Sequence, residues 1–373
     1  MVMDIKMNKS VFLGVGAVCL VLLALGVFAL VQQYSFIEGI TNITSYVPWG
    51  LYISLFLFFE AVGAGALFLA AVGKPAMFSR LKLAVVGVVC SACAGLAILP
   101  DLGRPLGMWR LFLAPNMASP LLLDVWLLSA TLVFGVLLIV GLRFAKPGLA
   151  KVASIGAGVF SVLLVLGTAV MFCSIPGKLG WESPAEIAIS LVQMAVAGCA
   201  IALLLGAVTG AARNVIVKLA GALLIANAAI MLGEGMLLVY RNDFVLRTFE
   251  AVMFGSYAWI FWTHVVAGIV VPAALLLLDK GVTVAAGLAL AGVLLSKFVY
   301  VVRGSIYPTY GEISEGLFIP FLQPSTGPQM VNVYVPSVSE FMVAGAVVGL
   351  AVLLVMVAFN SKLVPADDAG EQA

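Results

Sequence analysis

The chain has 373 residues, 64% of them hydrophobic and only 10% charged, with a formal net charge of +2 and a mean hydropathy of +1.20. A soluble domain carries about 25% charged residues, so this composition excludes a soluble protein, and the near-neutral balance gives no support for a nucleic-acid partner. No alternating apolar–polar pattern is present, so the expected fold class is an all-α integral membrane protein embedded in the lipid bilayer.

In chain order, hydropathy places ten spans at 11–31, 50–72, 83–99, 120–142, 152–173, 186–208, 215–238, 253–278, 282–300 and 337–359. Each is near the ~20 residues a helix needs to cross the apolar core. The apolar run of the first exceeds the roughly 7–15 residues of a signal-peptide core, and no small-x-small site follows, so it reads as a retained helix. Spans 2–5 and 6–9 are expected to form two four-helix bundles flanked by spans 1 and 10. The chain then reads as one polytopic domain over 1–373. Its parts are 1–49 (first span and outer loop), 50–173 and 186–300 (the two four-helix units), 301–336 (a long outer loop) and 337–373 (last span and tail).

Twelve of the nineteen lysines and arginines fall on the face holding the termini, six on the other, and Lys297 within span 9. The positive-inside rule therefore puts both termini in the cytoplasm. The outer loops are the longer ones. The stretch 301–336, with five prolines, Glu312 and Glu315, is material for docking another protein.

Cys19, Cys90, Cys93, Cys173 and Cys199 all lie in or at the ends of apolar runs, which argues against a disulfide framework. Cys90 and Cys93 have the C-x-x-C spacing inside an apolar helix and read as small packing residues, with a metal or redox role as the alternative. Four thiolates are not available in one place, and His264 is the single histidine. No haem or iron–sulfur cluster is therefore expected on this chain.

Ionisable groups inside apolar runs are costly and are functional by default. Five lie well inside: Glu60, Asp124, Glu234, His264 and Lys297. At ~1.5 Å per residue, Glu60 lies roughly 15 Å and Asp124 roughly 6 Å from the outer end of its span. His264 is expected near the middle of span 8, with Glu234 and Lys297 within about one turn of outer ends. Gln193 belongs to the same half. The inner half of the spans holds no Asp, Glu or His, so the polar groups outline a site that opens outward.

Each has a structural alternative. Glu60 could be neutral and hydrogen-bonded where Ala61, Gly63, Ala64 and Gly65 allow close helix packing. Asp124 could pair with Arg104 or Lys297 to fix helix ends. Glu234 and Lys297 could snorkel to an interface, and His264 could bond a neighbouring helix. The functional reading is quinone chemistry. A quinol releases two electrons and two protons, so its oxygens need donors and proton acceptors at close range, which buried carboxylates and an imidazole supply.

Four stretches carry a family resemblance. They are Pro48-Trp49-Gly50-Leu51-Tyr52 with Gly63-Ala64-Gly65-Ala66; Asp101-Leu102-Gly103-Arg104-Pro105 through Trp109, Pro115-Asn116, Ser119-Pro120 and Trp126; Phe254-Gly255 through Phe261-Trp262 to Gly268 and Pro272; and Tyr334-Val335-Pro336-Ser337 with Glu340. With them the chain resembles the NrfD/polysulfide-reductase type of membrane subunit, and Asp124 resembles the acid of its ten-helix subgroup. The resemblance implies menaquinone or ubiquinone as the non-covalent redox partner, bound near the outer face against the first four-helix unit. It also implies an iron–sulfur (four-cluster ferredoxin-like) subunit and a molybdopterin or cytochrome catalytic subunit on the outer face. The expected setting is a bacterial or archaeal cytoplasmic (inner) membrane in anaerobic respiration.

The resemblance carries over Asp124 as a quinone or proton residue, while His264 and Glu60 join it in handling protons and quinone oxygens on their depth alone, with Arg104, Lys297 and Glu234 completing the cofactor-binding set. Asp101 with Arg104 would shape the loop beneath the partner. Where many relatives carry an arginine near the end of span 9, this chain has Lys297, a point charge in place of a bidentate clamp. The expected function is a quinone/quinol-binding subunit of a multisubunit respiratory oxidoreductase, enzymatic only within that complex. The alternatives are a passive anchor of a redox complex and a proton-coupled transporter.

Overall fold

Ten helical segments long and apolar enough to cross a bilayer pack side by side in a computed structural model that describes residues 8–35, 40–44, 47–102, 105–113, 115–116, 119–175, 178, 180–241, 244–307, 333–361 and 363–364. The helices are α1 (Lys9–Tyr34), α2 (Leu51–Val72), α3 (Arg80–Ile98), the short α4 (Arg110–Leu113), α5 (Pro120–Arg143), α6 (Pro147–Cys173), α7 (Pro184–Leu204), α8 (Gly210–Arg241), α9 (Phe244–Phe254), α10 (Ala258–Thr263), α11 (Val271–Leu277), α12 (Val282–Arg303) and α13 (Val338–Asn360). A π-helical turn, His264–Val270, joins α10 to α11 within one span. The all-α membrane fold read from hydropathy is the one observed.

Proline at the first turn opens α5, α6 and α7, where its missing N–H has no intrahelical partner to lose. α13 starts on a capping box: Ser337 N donates to Glu340 Oε2 at 2.5 Å, and Glu340 N donates to Ser337 Oγ at 3.2 Å.

α2 is the packing centre. It touches α3, α6, α7 and α12, while α5 packs on α3 and α6, α8 on α7 and α11, and α1 on α13. The apolar window of α2 is 72% buried against 17% for α1, so α2 is a core helix and α1 faces lipid. The α2–α7 crossing depends on two glycines. A Cβ at Gly65 would stand 2.2 Å from the Met194 carbonyl oxygen, and one at Gly198 would stand 2.5 Å from that of Gly65. Without hydrophobic driving force between helices in lipid, such close backbone approach supplies the van der Waals contact that holds spans together.

The two ends of the molecule differ. At the short-loop end, Ser79 N donates to Ala207 O (2.8 Å) and Thr209 N to Met77 O (3.1 Å), tying the α2–α3 linker to the α7–α8 linker. At the loop-rich end, the Tyr334 hydroxyl accepts from Leu51 N (2.9 Å) and Tyr334 N donates to the Tyr257 hydroxyl (2.6 Å), which pins the starts of α2, α10 and α13 together. Burial pushes both phenols above the ordinary tyrosine value, Tyr334 further because Glu340 is close by. Trp181 stacks on Trp49 at 4.9 Å, and its indole N–H lies 3.1 Å from both the Tyr300 and Val301 carbonyls.

Three expected boundaries shift, with consequences for the site. Residues 253–278 are not one helix: α9 stands apart, because Gly255 and Ser256 interrupt the chain before Ala258. α9 is amphipathic, burying Val245, Leu246, Phe249 and Val252 while Arg247 and Glu250 are exposed. α8 runs to Arg241 and α12 to Arg303, so Glu234 and Lys297 sit deeper than one turn. Most of the long stretch expected to dock a partner, with Glu312 and Glu315, lies outside the described residues.

Candidate functional site

Glu60, Asp124, Glu186, Glu234, His264, Lys297 and Arg303 are buried in the loop-rich half, in two clusters on either side of α2 and α12. The first joins α2, α5 and α6. Glu60, ten residues along α2, is 2% exposed, and its Oε1 has no hydrogen-bond partner. Asp124, in the second turn of α5, is 5% exposed and accepts a short hydrogen bond from the Thr168 hydroxyl of α6. Thr168 also neighbours Glu60. It lines, with Glu60, Lys297 and Tyr300, a cavity of about 10 Å³, close to the space one water needs. No arginine or lysine forms a salt bridge with either acid among the described residues.

The second cluster joins α7, α8 and α12 and is matched in charge. Lys297 Nζ lies 3.4 Å from Glu186 Oε1 and donates to Ser190 Oγ at 2.8 Å. Arg303 pairs with Glu234 (Nη1–Oε1 3.1 Å) and donates from Nε to the Gly180 carbonyl at 2.7 Å, and Ser183 Oγ donates to Glu234 Oε1 at 2.7 Å. Gln193 donates to Ser296 Oγ at 2.8 Å. Ion pairs this buried are strongly destabilised when one partner is removed, because the survivor is left as an uncompensated charge.

His264 belongs to this second side. It is only six residues past Ala258, roughly 9 Å along the helix and thus nearer the loop-rich end than the expected mid-span position. Its π-turn packs on α12 where Gly268 meets Gly292: a Cβ on Gly268 would stand 2.5 Å from the Gly292 Cα. The ring is 2% exposed. The Gly292 backbone lies close to the ring, but neither ring nitrogen makes a hydrogen bond of normal geometry. With Glu186, Glu234, Tyr300 and Arg303, His264 lines a second small cavity of about 30 Å³.

Asp124 and Glu60 are thus brought together, while His264 and Glu234 line a different cavity. Lys297 connects the two, since it lines the Glu60 cavity while pairing with Glu186. The pairing of Asp124 with Lys297 and the snorkelling of Glu234 and Lys297 do not occur; both are buried in salt bridges. Arg104 lies outside the described residues. Three participants went unseen in the sequence. Thr168 reads as an ordinary helical threonine, Glu186 sits in the first turn of α7 like any helix-start acid, and Arg303 lies past the expected end of span 9 at residue 300. Arg303 places an arginine at the end of span 9, six residues beyond Lys297, so a guanidinium there is not lost. A usable signal existed: Lys297 and Arg303 are six residues apart on one helix, and each needs a buried counter-charge.

Among the described residues no group of three or more His, Cys, Asp or Glu side chains is placed to hold a metal. Cys90 and Cys93 are free thiols.

Comparison with known proteins bears on the whole arrangement. A family model described as "Polysulphide reductase, NrfD" matches residues 39–308. A Halobacterium salinarum protein, named provisionally as a membrane subunit of dimethyl sulfoxide reductase, is 38% identical over 133 residues, 34% of this chain and 29% of that protein. A selenate reductase subunit from Mesobacillus selenatarsenatis is 24% identical over 397 aligned positions, covering 91% of each chain.

Proposed function

The chain belongs to the NrfD polysulphide reductase family, and from that premise we propose that it is the quinone-interacting membrane subunit of a respiratory oxidoreductase. As a subunit, it exchanges electrons between membrane quinone and an iron–sulfur partner, which passes them on to a molybdopterin or cytochrome subunit. Reductase subunits are also what the names of its relatives describe. We read the helix contacts as two four-helix units, spans 2–5 and 6–9, flanked by spans 1 and 10. The loop-rich end faces outward, with both termini in the cytoplasm, in keeping with the lysine and arginine distribution.

The observation that carries the reading is the pair of buried acids without a salt-bridge partner, Glu60 and Asp124, sharing Thr168. A quinol (QH2) becoming a quinone releases two protons and two electrons. The electrons leave to the iron–sulfur partner. The protons need acceptors that are not already held by a cation, and Asp124 and Glu60 answer this description, whereas Glu340, also buried without a salt bridge among the described residues, is engaged in the Ser337 cap of α13. Thr168 orients the Asp124 carboxyl, and the space beside Glu60 holds about one water to pass a proton on. Arg104 and Asp101 remain candidates for the wall of the site at the loop-rich end. The spans of the opposite half hold no Asp, Glu or His, which favours release of the protons on the outer side and argues against a proton-coupled transporter, whose site needs polar groups toward both faces.

The test uses the intact complex in liposomes. Asp124→Asn is expected to lower turnover with a short-chain quinol analogue by at least ~100-fold, the scale of lost general-base catalysis. Turnover driven by reduced viologen, which feeds electrons to the partner subunits directly, should stay at the wild-type level. Unchanged quinol turnover in Asp124→Asn and Glu60→Gln would make the chain a passive anchor.

A further inference from the structure

A groove of about 690 Å³ opens on the lipid-facing side of α8, α9 and α10, lined by Met231, Gly235, Leu246, Phe249, Phe261 and Val265 among others. Its size lies within the roughly 300–1,000 Å³ typical of small-molecule sites. Met231, Phe249 and Phe261 also line the 30 Å³ polar cavity behind it. These three side chains are therefore a thin partition between lipid and the His264–Arg303 cavity. Trp262 N–H donates to the Met253 carbonyl at 3.0 Å, tying α9 to α10 across the groove.

Two groups behind the partition have unused hydrogen-bonding capacity. Both nitrogens of His264 and the Nη2 of Arg303 are buried without a partner, in residues 2% and 5% exposed. Buried polar atoms in native proteins are almost always satisfied, and an unsatisfied one inside a bilayer costs more still. Arg303 Cζ also lies 5.9 Å from the centre of the Phe249 ring, so the guanidinium sits beside the partition. The rest of the guanidinium is committed to Glu234 and Gly180. A lipid acyl chain would fill the groove but leave these atoms as they are.

We propose that the groove is a second quinone site of this chain, separate from the Asp124–Glu60 cluster. The isoprenoid tail lies along α8 and α9, and the ring displaces the flexible Met231 side chain to enter between Phe249 and Phe261. One ring oxygen meets Arg303 Nη2 and His264, which donates to a carbonyl or accepts from a hydroxyl. The π-turn serves this arrangement by presenting His264 at the partition, and such turns recur at functional sites. The proposal rests on the reading that the chain meets quinones, and adds a second place where it does so.

The test uses the whole complex in nanodiscs and the fluorescent quinone analogue 2-heptyl-4-hydroxyquinoline N-oxide, whose emission is quenched on binding. Wild type should bind two equivalents per chain. Gly235→Phe should bind one fewer, because a Cβ at Gly235 meets Phe249 only at ordinary contact distance, 3.4 Å, and the ring then occupies the groove. Met236→Trp, at a groove position 66% exposed, should have the same effect without touching the core. Photolabelling of unmutated complex with an azidoquinone should mark peptides of α8 and α9 as well as those of α5 and α6. Labelling confined to α5 and α6, or full stoichiometry in both plugged variants, overturns this second site alone. No quenching by wild type overturns it together with the functional reading beneath it.

Discussion

The two polar clusters use the same residue types to opposite ends. In the α7–α8–α12 cluster each acid faces its own cation, Glu186 with Lys297 and Glu234 with Arg303, at 3.4 and 3.1 Å. In the α2–α5–α6 cluster Glu60 and Asp124 share a threonine and, among the described residues, form no salt bridge. A matched pair holds its charges in place and makes the packing depend on both partners. An unmatched pair leaves carboxyls able to gain and lose protons, which is what quinol chemistry asks of them.

The contrast can be broken at the matched cluster first, where the largest effect is expected. Arg303→Ala strands Glu234 and removes the bond to Gly180; the loss should be about 3–5 kcal/mol of stability, read as a marked drop in melting temperature and folded yield in detergent. Glu234→Gln should recover part of that loss when combined with it, since the orphaned charge is then gone. If the double variant is no better than Arg303→Ala alone, charge matching is not what the pair provides.

The unmatched cluster should respond in the other currency, rate and not stability. Asp124→Asn keeps an oxygen for the Thr168 hydroxyl, so its melting temperature should stay near wild type while quinol turnover falls by the ~100-fold given above. Thr168→Val is a milder probe. Removing one hydrogen bond to a buried carboxyl should slow turnover by about tenfold, on the scale of 1.5 kcal/mol for a bond to a charged group. A Thr168→Val protein that unfolds but, when folded, turns over normally would place this cluster with the scaffold.

Gly65→Ala probes the interface that holds the two clusters in register. Its Cβ would meet the Met194 carbonyl at 2.2 Å, and overpacking of this kind destabilises by about 1–3 kcal/mol, measurable by thermal melting.

The smallest effect is expected at high pH. Tyr334 and Tyr257 titrate above their ordinary value in the folded protein, whereas in the unfolded chain they titrate near ~10. Their contribution is therefore fully present below ~10 and is lost as pH rises toward the folded value. Melting temperature should be level up to about pH 9 and fall above ~10, with a shallower fall in Tyr334→Phe.

Much of the molecule is legible in its residues alone. Runs of some twenty apolar side chains can satisfy their backbone in lipid only as helices, so the ten spans, the prolines opening α5, α6 and α7, and the Ser337–Glu340 cap follow from local chemistry. Glu60, Asp124, His264, Glu234 and Lys297 stood out because a charge in an apolar run is visible in one dimension. Less visible was anything that depends on which helices touch. Glu186 meets Lys297 across 111 residues and Glu234 meets Arg303 across 69, separations that no periodicity encodes. Only Met253 and Phe254 of α9 fall within the expected span 253–278; that residues 244–254 form a separate amphipathic helix with Arg247 and Glu250 exposed is decided by its packing against α8 and α10.

Composition and spacing thus determined the class of molecule and the buried groups that it must accommodate. The tertiary structure decided which of those groups are neutralised by a neighbour and which are left available. The reason is physical: desolvation acts on each residue where it stands, whereas compensation needs a second charge within about 4 Å, and only the packed helices bring one there.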